Sequence, residues 1–234
     1  MTFSDTHSSS FVMILLLFCF AIIHSGGAAL RTKAERVIGA RAWRLIFAFV
    51  SIPSAFILIG YFIAHRYDGI RFWNFQAVSE LIPVIWILSA ISFLFLYPAT
   101  YNLLEIPAVI KPKVRLYASG IIRVTRHPQA IGQIIWCFAH LLWIGTSFTL
   151  LTCLGLILHH LFAIWHGDRR LRIKFGEEFE YVKKNTSVVP FLAVLDGRQK
   201  LELKEFLRPS QIGILIAVFF FWWSHQFISV GAQR

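Results

Sequence analysis

Apolar residues run along this chain in six stretches, with charged and polar residues gathered between them. A bilayer-crossing helix needs about 20 mainly apolar residues. The windows 11–30, 43–64, 80–104, 129–146, 148–166 and 210–230 reach that length or fall just short of it. The fourth and fifth are joined only by Gly-Thr-Ser-Phe at 145–148, which predicts a tight antiparallel helical hairpin. Pro53 and Pro98 fall inside the second and third windows and predict kinks there. Residues 168–185 read differently. Leu171, Phe175, Phe179 and Val182 recur at spacings of three and four with charges elsewhere, which predicts an amphipathic helix lying along the membrane interface. Pro190 stops any helix before it. The chain shows neither a solenoid-type repeat nor a low-complexity linker. The expected fold is therefore all-α, a single domain over 1–234 made of six spans and one interfacial helix.

Charge sharpens this picture. The segment 31–44 carries five Lys or Arg against one acid, 105–128 again five against one, and 167–208 ten against seven, whereas 65–79 has two against one. Every second connection is basic, as the positive-inside bias requires of six helices with both termini on the opposite side. Of the 234 residues 57% are hydrophobic and only 15% charged, which excludes an ordinary soluble domain. The net charge of +11 is spread between apolar runs instead of along one soluble face, so it speaks for topology and anionic lipid and not for nucleic acid. Cys19, Cys137 and Cys153 all fall in apolar segments and are too few for a disulfide framework. The N-terminal Met-Thr-Phe-Ser-Asp has no basic n-region, so the first apolar run is expected to stay as an anchor.

Polar side chains inside a span are costly and mark candidate functional positions. His24, Cys137, His140, His159 and His160 are such positions, while His65, His166 and His225 stand near span ends and His7 in the tail. One membrane histidine commonly just bonds to a neighbouring helix; four on three helices point further. Imidazole pairs across helices hold haem in bundles, whereas zinc is disfavoured because the carboxylates lie in loops and no His-Glu-x-x-His pattern occurs. Counted from the basic-side span ends, His24 and His159 lie within roughly 2 Å of one depth and His140 roughly 7 Å deeper. Depth alone favours His24 with His159. At the rim, Arg123, Arg126, Arg169 and Arg170 suit carboxylates such as haem propionates, and equally lipid phosphates reached by snorkelling.

The stretch from Gly120 to Leu171, containing Arg-His-Pro-Gln-Ala-Ile-Gly at 126–132 and His-His at 159–160, closely resembles the NnrU-like membrane family, which includes the plant and cyanobacterial zeta-carotene isomerases. Further matches are Phe-Gly-Glu-Glu-Phe-Glu-Tyr at 175–181, Gly-Arg-Gln at 197–199 and His-Ser-Gly-Gly-Ala-Ala-Leu-Arg at 24–31. The likeness covers most of 15–200 and thins beyond it. It implies an isomerase that rotates the central 15-cis bond of 9,15,9′-tri-cis-zeta-carotene to give the 9,9′-di-cis isomer, with haem b as prosthetic group and the ferrous iron as active form. By motif the implied axial ligands are His24 and His140, with His159 an alternate and Cys137 a substitute ligand when the iron changes redox state. It further implies a thylakoid, plastid or cyanobacterial membrane, a substrate arriving from the lipid phase, an electron donor that the sequence does not identify, and other carotenoid-pathway enzymes as neighbours. Trp136, Trp143, Phe148 and Trp165 are candidate linings for an apolar tunnel.

Two other readings compete. Arg-His-Pro at 126–128 and the acidic-aromatic segment 175–191 also resemble membrane methyltransferases of the isoprenylcysteine type, which place S-adenosylmethionine at the polar interface and need no buried imidazoles. A non-enzymatic NnrU-type haem protein would keep the ligands and lack the isomerisation.

Overall fold

The computed structural model of the chain describes residues 3–104, 119–206 and 210–231, with side chains over 8–96, 119–206 and 213–227. Residues 105–118 of the expected basic connection and the side chains of His7 and Pro98 lie outside that set. Among the described residues there is no β-strand, only a bridge between Arg71 and Thr146.

Helix α1 (Phe3–Ala21), a π-turn (Ile22–Gly26) and α2 (Gly27–Ile38) form one continuous rod. Gly39, at φ +83°, ends it, and α3 (Ala40–His65) begins at the next residue. The expected loop 31–44 is thus helical on both sides of one glycine. Lys and Arg are good helix formers, so the charge cluster marks where the rod leaves the apolar zone and not where it stops. Pro53 sits within α3. Then follow α4 (Leu81–Leu104), the short α5 (Ile121–Val124), α6 (Pro128–Ile144), α7 (Ser147–Phe175), α8 (Glu177–Asn185), α9 (Leu192–Leu195) and α10 (Ser210–Gly231).

Among the described residues three helices are long and apolar enough to cross a membrane: Ser8–Ile38, Ala40–His65 and Ser147–Phe175. Leu81–Leu96, Pro128–Ile144 and Gly213–Phe227 are shorter apolar helices. Phe11, Phe18, Phe49, Phe56 and Phe219 stand exposed on outer faces, an apolar surface suited to lipid and not to water.

The expected interfacial helix over 168–185 is two pieces. Helix α7, 29 residues long and so about 43 Å, runs on through Asp168 to Phe175, and Gly176 (φ +52°) then turns the chain into α8. A spacing of three and four reads the same at the end of a long helix as in a new one, so only the glycine betrays the break. On the expected apolar face Phe179 and Val182 are buried, and Leu171 and Phe175 are half-buried.

At the α6–α7 hairpin, Gly145 adopts φ +67° and Thr146 caps α7 by accepting from the Thr149 amide at 3.2 Å. The hydroxyls of Thr146 and Thr149 donate to the Arg66 carbonyl at 2.7 and 2.9 Å. The α3–α4 connection is laced on here by Phe72 N to Gly145 O (2.7 Å), Ser147 N to Ile70 O (2.8 Å) and Trp73 Nε1 to Leu142 O (2.9 Å). In the middle of the bundle α4 and α6 touch: Ser92 Oγ donates to the Gly132 carbonyl at 2.8 Å, and a Cβ on Gly132 would stand 2.8 Å from Ser92 O.

Candidate functional site

His24 lies in the π-turn, where one extra residue per turn swings the side chain toward α3 and α7. Such turns recur at functional positions. Its Nδ1 is 2.7 Å from the hydroxyl of buried Ser51 on α3. The ring is stacked on Phe20 at 5.2 Å, tilted against Phe47 at 5.5 Å, and 6.1 Å from the ring of His159 on α7. The pair of glycines following His24 explains the close approach: a Cβ on Gly27 would lie 2.9 Å from the Phe47 ring. Between the π-turn and α7 opens an apolar cleft of about 290 Å³, lined by Ala21, Ile22, Ser25, Gly26, Ala29, His159, Phe162 and His166. His160 turns to His159 edge-on at 5.4 Å.

His140 belongs to a different level of the bundle. Its Nδ1 is 2.9 Å from the Trp136 carbonyl and its ring is stacked on the Trp136 indole at 3.8 Å. Phe62 lies 6.4 Å away, and His225 of α10 stands 6.0 Å away at an interplanar angle of 77°. Ser51, which marks the His24 level, and Phe62, which marks that of His140, are eleven residues apart on α3, about 16 Å along its axis. The hairpin gives a second measure. Cys153 Sγ donates to Cys137 O at 3.3 Å, which sets these two residues level. His140 lies three residues from that level one way and His159 six residues the other way, about 14 Å in all. The structure therefore brings His24 to His159 and His140 to His225, and does not bring His24 to His140. Cys137 is fully buried between the levels, with its Sγ accepting from Gln133 Nε2 at 3.8 Å.

The rim arginines separate in the same way. Arg123 is held by Glu205 (Nε to Oε2, 2.8 Å) and Gln199 (2.8 Å), and the Glu205 hydrogen bond raises its pKa above the ordinary guanidinium value. Arg126 pairs with Asp168 at 3.0 Å and the same carboxylate meets His127 Nε2 at 2.8 Å, while Arg126 N donates to Ser187 O at 2.9 Å. These groups clasp residues 186–205 against the start of α6. Arg169 is exposed, 5.8 Å over the Trp165 ring. Arg170 is half-buried, within electrostatic reach of Arg31 and Glu35 on α2. Of the expected tunnel aromatics, Phe148 is fully buried in the core, Trp136 and Trp143 pack around it, and Trp165 is 56% exposed.

Ser51 and His225 were not read from sequence as site residues. Ser51 had a usable signal, being a hydroxyl inside an apolar span. His225 is placed beside His140 only by the α10–α4–α6 packing, with Trp86 5.7 Å from its ring.

The donor set suits a planar iron porphyrin better than a bare ion. Among the described residues no three His, Cys, Asp or Glu converge to hold a metal by themselves. Two imidazoles instead stand 6.1 Å apart beside an apolar cleft, one with Nδ1 engaged so that Nε2 is the nitrogen it could offer a porphyrin iron. No solved structure matches the chain. It is 48% identical over 234 residues to the chloroplastic 15-cis-zeta-carotene isomerase of Zea mays, covering 99% of this chain and 63% of that protein. It is 51% identical over 210 residues to the Arabidopsis thaliana protein of the same name, covering 88% of this chain and 57% of the relative. The chain thus spans about three fifths of the length of these relatives. The NnrU protein family model matches residues 12–232, and the chain belongs to that family.

Proposed function

We propose that the chain is a haem-dependent isomerase that converts 9,15,9′-tri-cis-zeta-carotene to the 9,9′-di-cis isomer within a plastid or cyanobacterial membrane. The observation that carries this reading is the His24–His159 pair beside a lipid-side apolar cleft, in a chain about half identical to proteins named for that isomerisation. The three long apolar helices and three shorter ones support a six-span body with both termini on the side away from the basic loops.

Rotation about one double bond adds and removes no atoms, so the site needs neither a general acid nor a general base. It needs a way to lower π-bond order in a dry cavity. Bound haem b would supply a redox-active iron able to share electron density with the polyene, the ferrous state being maintained by a donor outside the chain. The chain's own residues do the rest. Ser51 fixes the tautomer and direction of His24, and the rings of Phe20 and Phe47 hold its plane. Ala21, Ser25, Gly26 and Ala29 leave room on one wall of the cleft, while Ile22 and Phe162 add apolar surface to it. A fully apolar C40 substrate would arrive sideways from lipid. His24 is the imidazole through which the chain would hold the porphyrin, and the geometry supports His159 across from it; His140, the partner implied by resemblance, would join His24 on one iron only if the two levels closed by about 14 Å. The methyltransferase reading gains nothing from the rim, where Arg126 and His127 are turned onto Asp168.

The test is expression of the full chain in a host that accumulates tri-cis-zeta-carotene in strict darkness, with isomers separated by chromatography. The 9,9′-di-cis isomer should accumulate in the dark. An unchanged tri-cis pool beside abundant haem-loaded protein would leave a non-enzymatic haem protein instead. Tight binding of labelled S-adenosylmethionine would favour the methyltransferase.

A further inference from the structure

The segment that follows α8 is bonded to the protein along one side. Arg126 N donates to Ser187 O at 2.9 Å, Thr125 Oγ1 to Val188 O at 2.7 Å and Phe191 N to Val124 O at 2.9 Å. Gln199 N donates to Ala193 O at 2.8 Å and closes the segment on itself. Thr125, Thr186, Ser187 and Ala193 are buried along this seam. Val189, Phe191, Leu192 and Leu195, by contrast, are exposed, Leu195 by 82%. Phe191 is the most informative of them. Its φ is +64°, and among the described residues it is the only non-glycine with a positive φ. A bulky side chain in that conformation is strained where a glycine would not be. The residue is still 45% exposed, so its own chain covers the ring only in part. An apolar phase outside the chain would offset the strain.

The height of the segment says which phase that is. From Ser147 to Gly167, α7 carries no Asp, Glu, Lys or Arg, whereas Asp168, Arg169, Arg170, Arg172 and Lys174 follow. The apolar zone thus ends near Asp168, the residue that Arg126 and His127 grip at 3.0 and 2.8 Å. Exposed Trp165 stands one turn before it with Arg169 5.8 Å over the ring, as aromatic and basic side chains do at a membrane boundary. Residues 187–191, pinned to 124–126, lie at that same boundary. Exposed apolar side chains at this height meet the zone between headgroups and acyl chains.

We propose that Val189, Phe191, Leu192 and Leu195 form an interfacial hook that enters the headgroup–acyl boundary of the bilayer the chain spans. The partner is the glycerolipid layer, engaged by apolar side chains at interfacial depth. Bound to lipid on one face and to the start of α6 on the other, the hook fixes the depth at which α6 enters the bilayer. It rests on the membrane reading of the long apolar helices and needs neither haem nor isomerisation. It is also distinct from the amphipathic helix expected over 168–185, since it lies beyond that stretch.

The experiment attaches a nitroxide to single cysteines of the full chain in discs of phosphatidylcholine and phosphatidylglycerol. Collisions with oxygen, which concentrates in lipid, are compared with those of a nickel chelate that stays in water. Exposed Cys19 of the unmutated protein is the lipid reference, while buried Cys137 and Cys153 stay unlabelled. In Cys19→Ser protein, Val189→Cys and Leu195→Cys are the hook positions and Glu178→Cys, on exposed α8, is the water reference. Each replaced side chain is exposed, so the labels disturb no core packing. Oxygen should lead the chelate at Cys19 and at both hook positions, and the chelate should lead at 178. Chelate ahead of oxygen at 189 and 195, with Cys19 still in lipid, would make the segment a solvated loop and end the proposal. Low collision with both reagents there would show a protein cover, from this chain or another, and end it equally. Chelate ahead of oxygen at Cys19 itself would overturn the membrane reading and the hook with it.

Discussion

The two imidazole pairs of this bundle are built from the same side chain and do opposite things with it. At the basic-side level, His24 stands on a π-turn, is tethered by one hydroxyl, and lies 6.1 Å from His159, which lines a cleft with Ala21, Ser25, Gly26 and Ala29 on the π-turn side. At the far level, His140 lies flat on Trp136 at 3.8 Å, spends its Nδ1 on its own helix, and is closed in by Phe62 and His225. The first pair has a displaced backbone turn and small residues beside it, as the proposed ligand position needs; the second is packed on an indole between α6 and α10. A histidine in a span is therefore read by the size of its neighbours as much as by its cost.

The sharpest way to break this contrast is to remove His24. His24→Ala should reduce dark isomerisation and bound haem on the order of a hundredfold, read by isomer chromatography and by the Soret band. His159→Ala should keep bound haem but shift its spectrum toward a high-spin, five-coordinate form; an unshifted spectrum would show that His159 is not across the iron. Gly132→Ala tests the α4–α6 contact, which by the Cys137–Cys153 register lies within about one residue of the His159 level. With Ser92 O 2.8 Å from the new Cβ, unfolding in mild denaturant should come about 1–3 kcal/mol earlier. Ser51→Ala, which frees Nδ1 of His24, should lower haem affinity about tenfold. The smallest effect belongs to His225→Ala, whose haem affinity should stay within about twofold of wild type. A loss of haem there as large as in His24→Ala would erase the distinction between the levels.

Much of the helical layout was legible from hydropathy, because long apolar runs leave few alternatives. The helix bounds Ala40–His65 and Pro128–Ile144 fall within about three residues of those read from the pattern. Breaks made by a single residue were not legible. Gly39 and Gly176 end helices through positive φ, inside charge-rich sequence that equally suits a loop or a helix end. The π-turn was invisible too, although the Gly26–Gly27 pair after His24 is its trace. At the site, counting residues from the span ends put His24 and His159 at one depth, as the 6.1 Å ring separation shows, but placed His140 only about 7 Å deeper. The error lies in the hairpin register: with Cys137 level with Cys153, residue 129 stands level with 161, so the α6 end from which His140 is counted lies about five residues deeper than the α7 end at 166. His225, brought beside His140 only by long-range packing, carries no local signature at all.

The most direct test is dark conversion by purified full-length chain in lipid discs, compared as haem-loaded and reduced, haem-stripped, and reloaded. The account predicts 9,9′-di-cis-zeta-carotene from the loaded form, none from the stripped form, and recovery on reloading. Conversion by the stripped protein at the rate of the loaded one would contradict it.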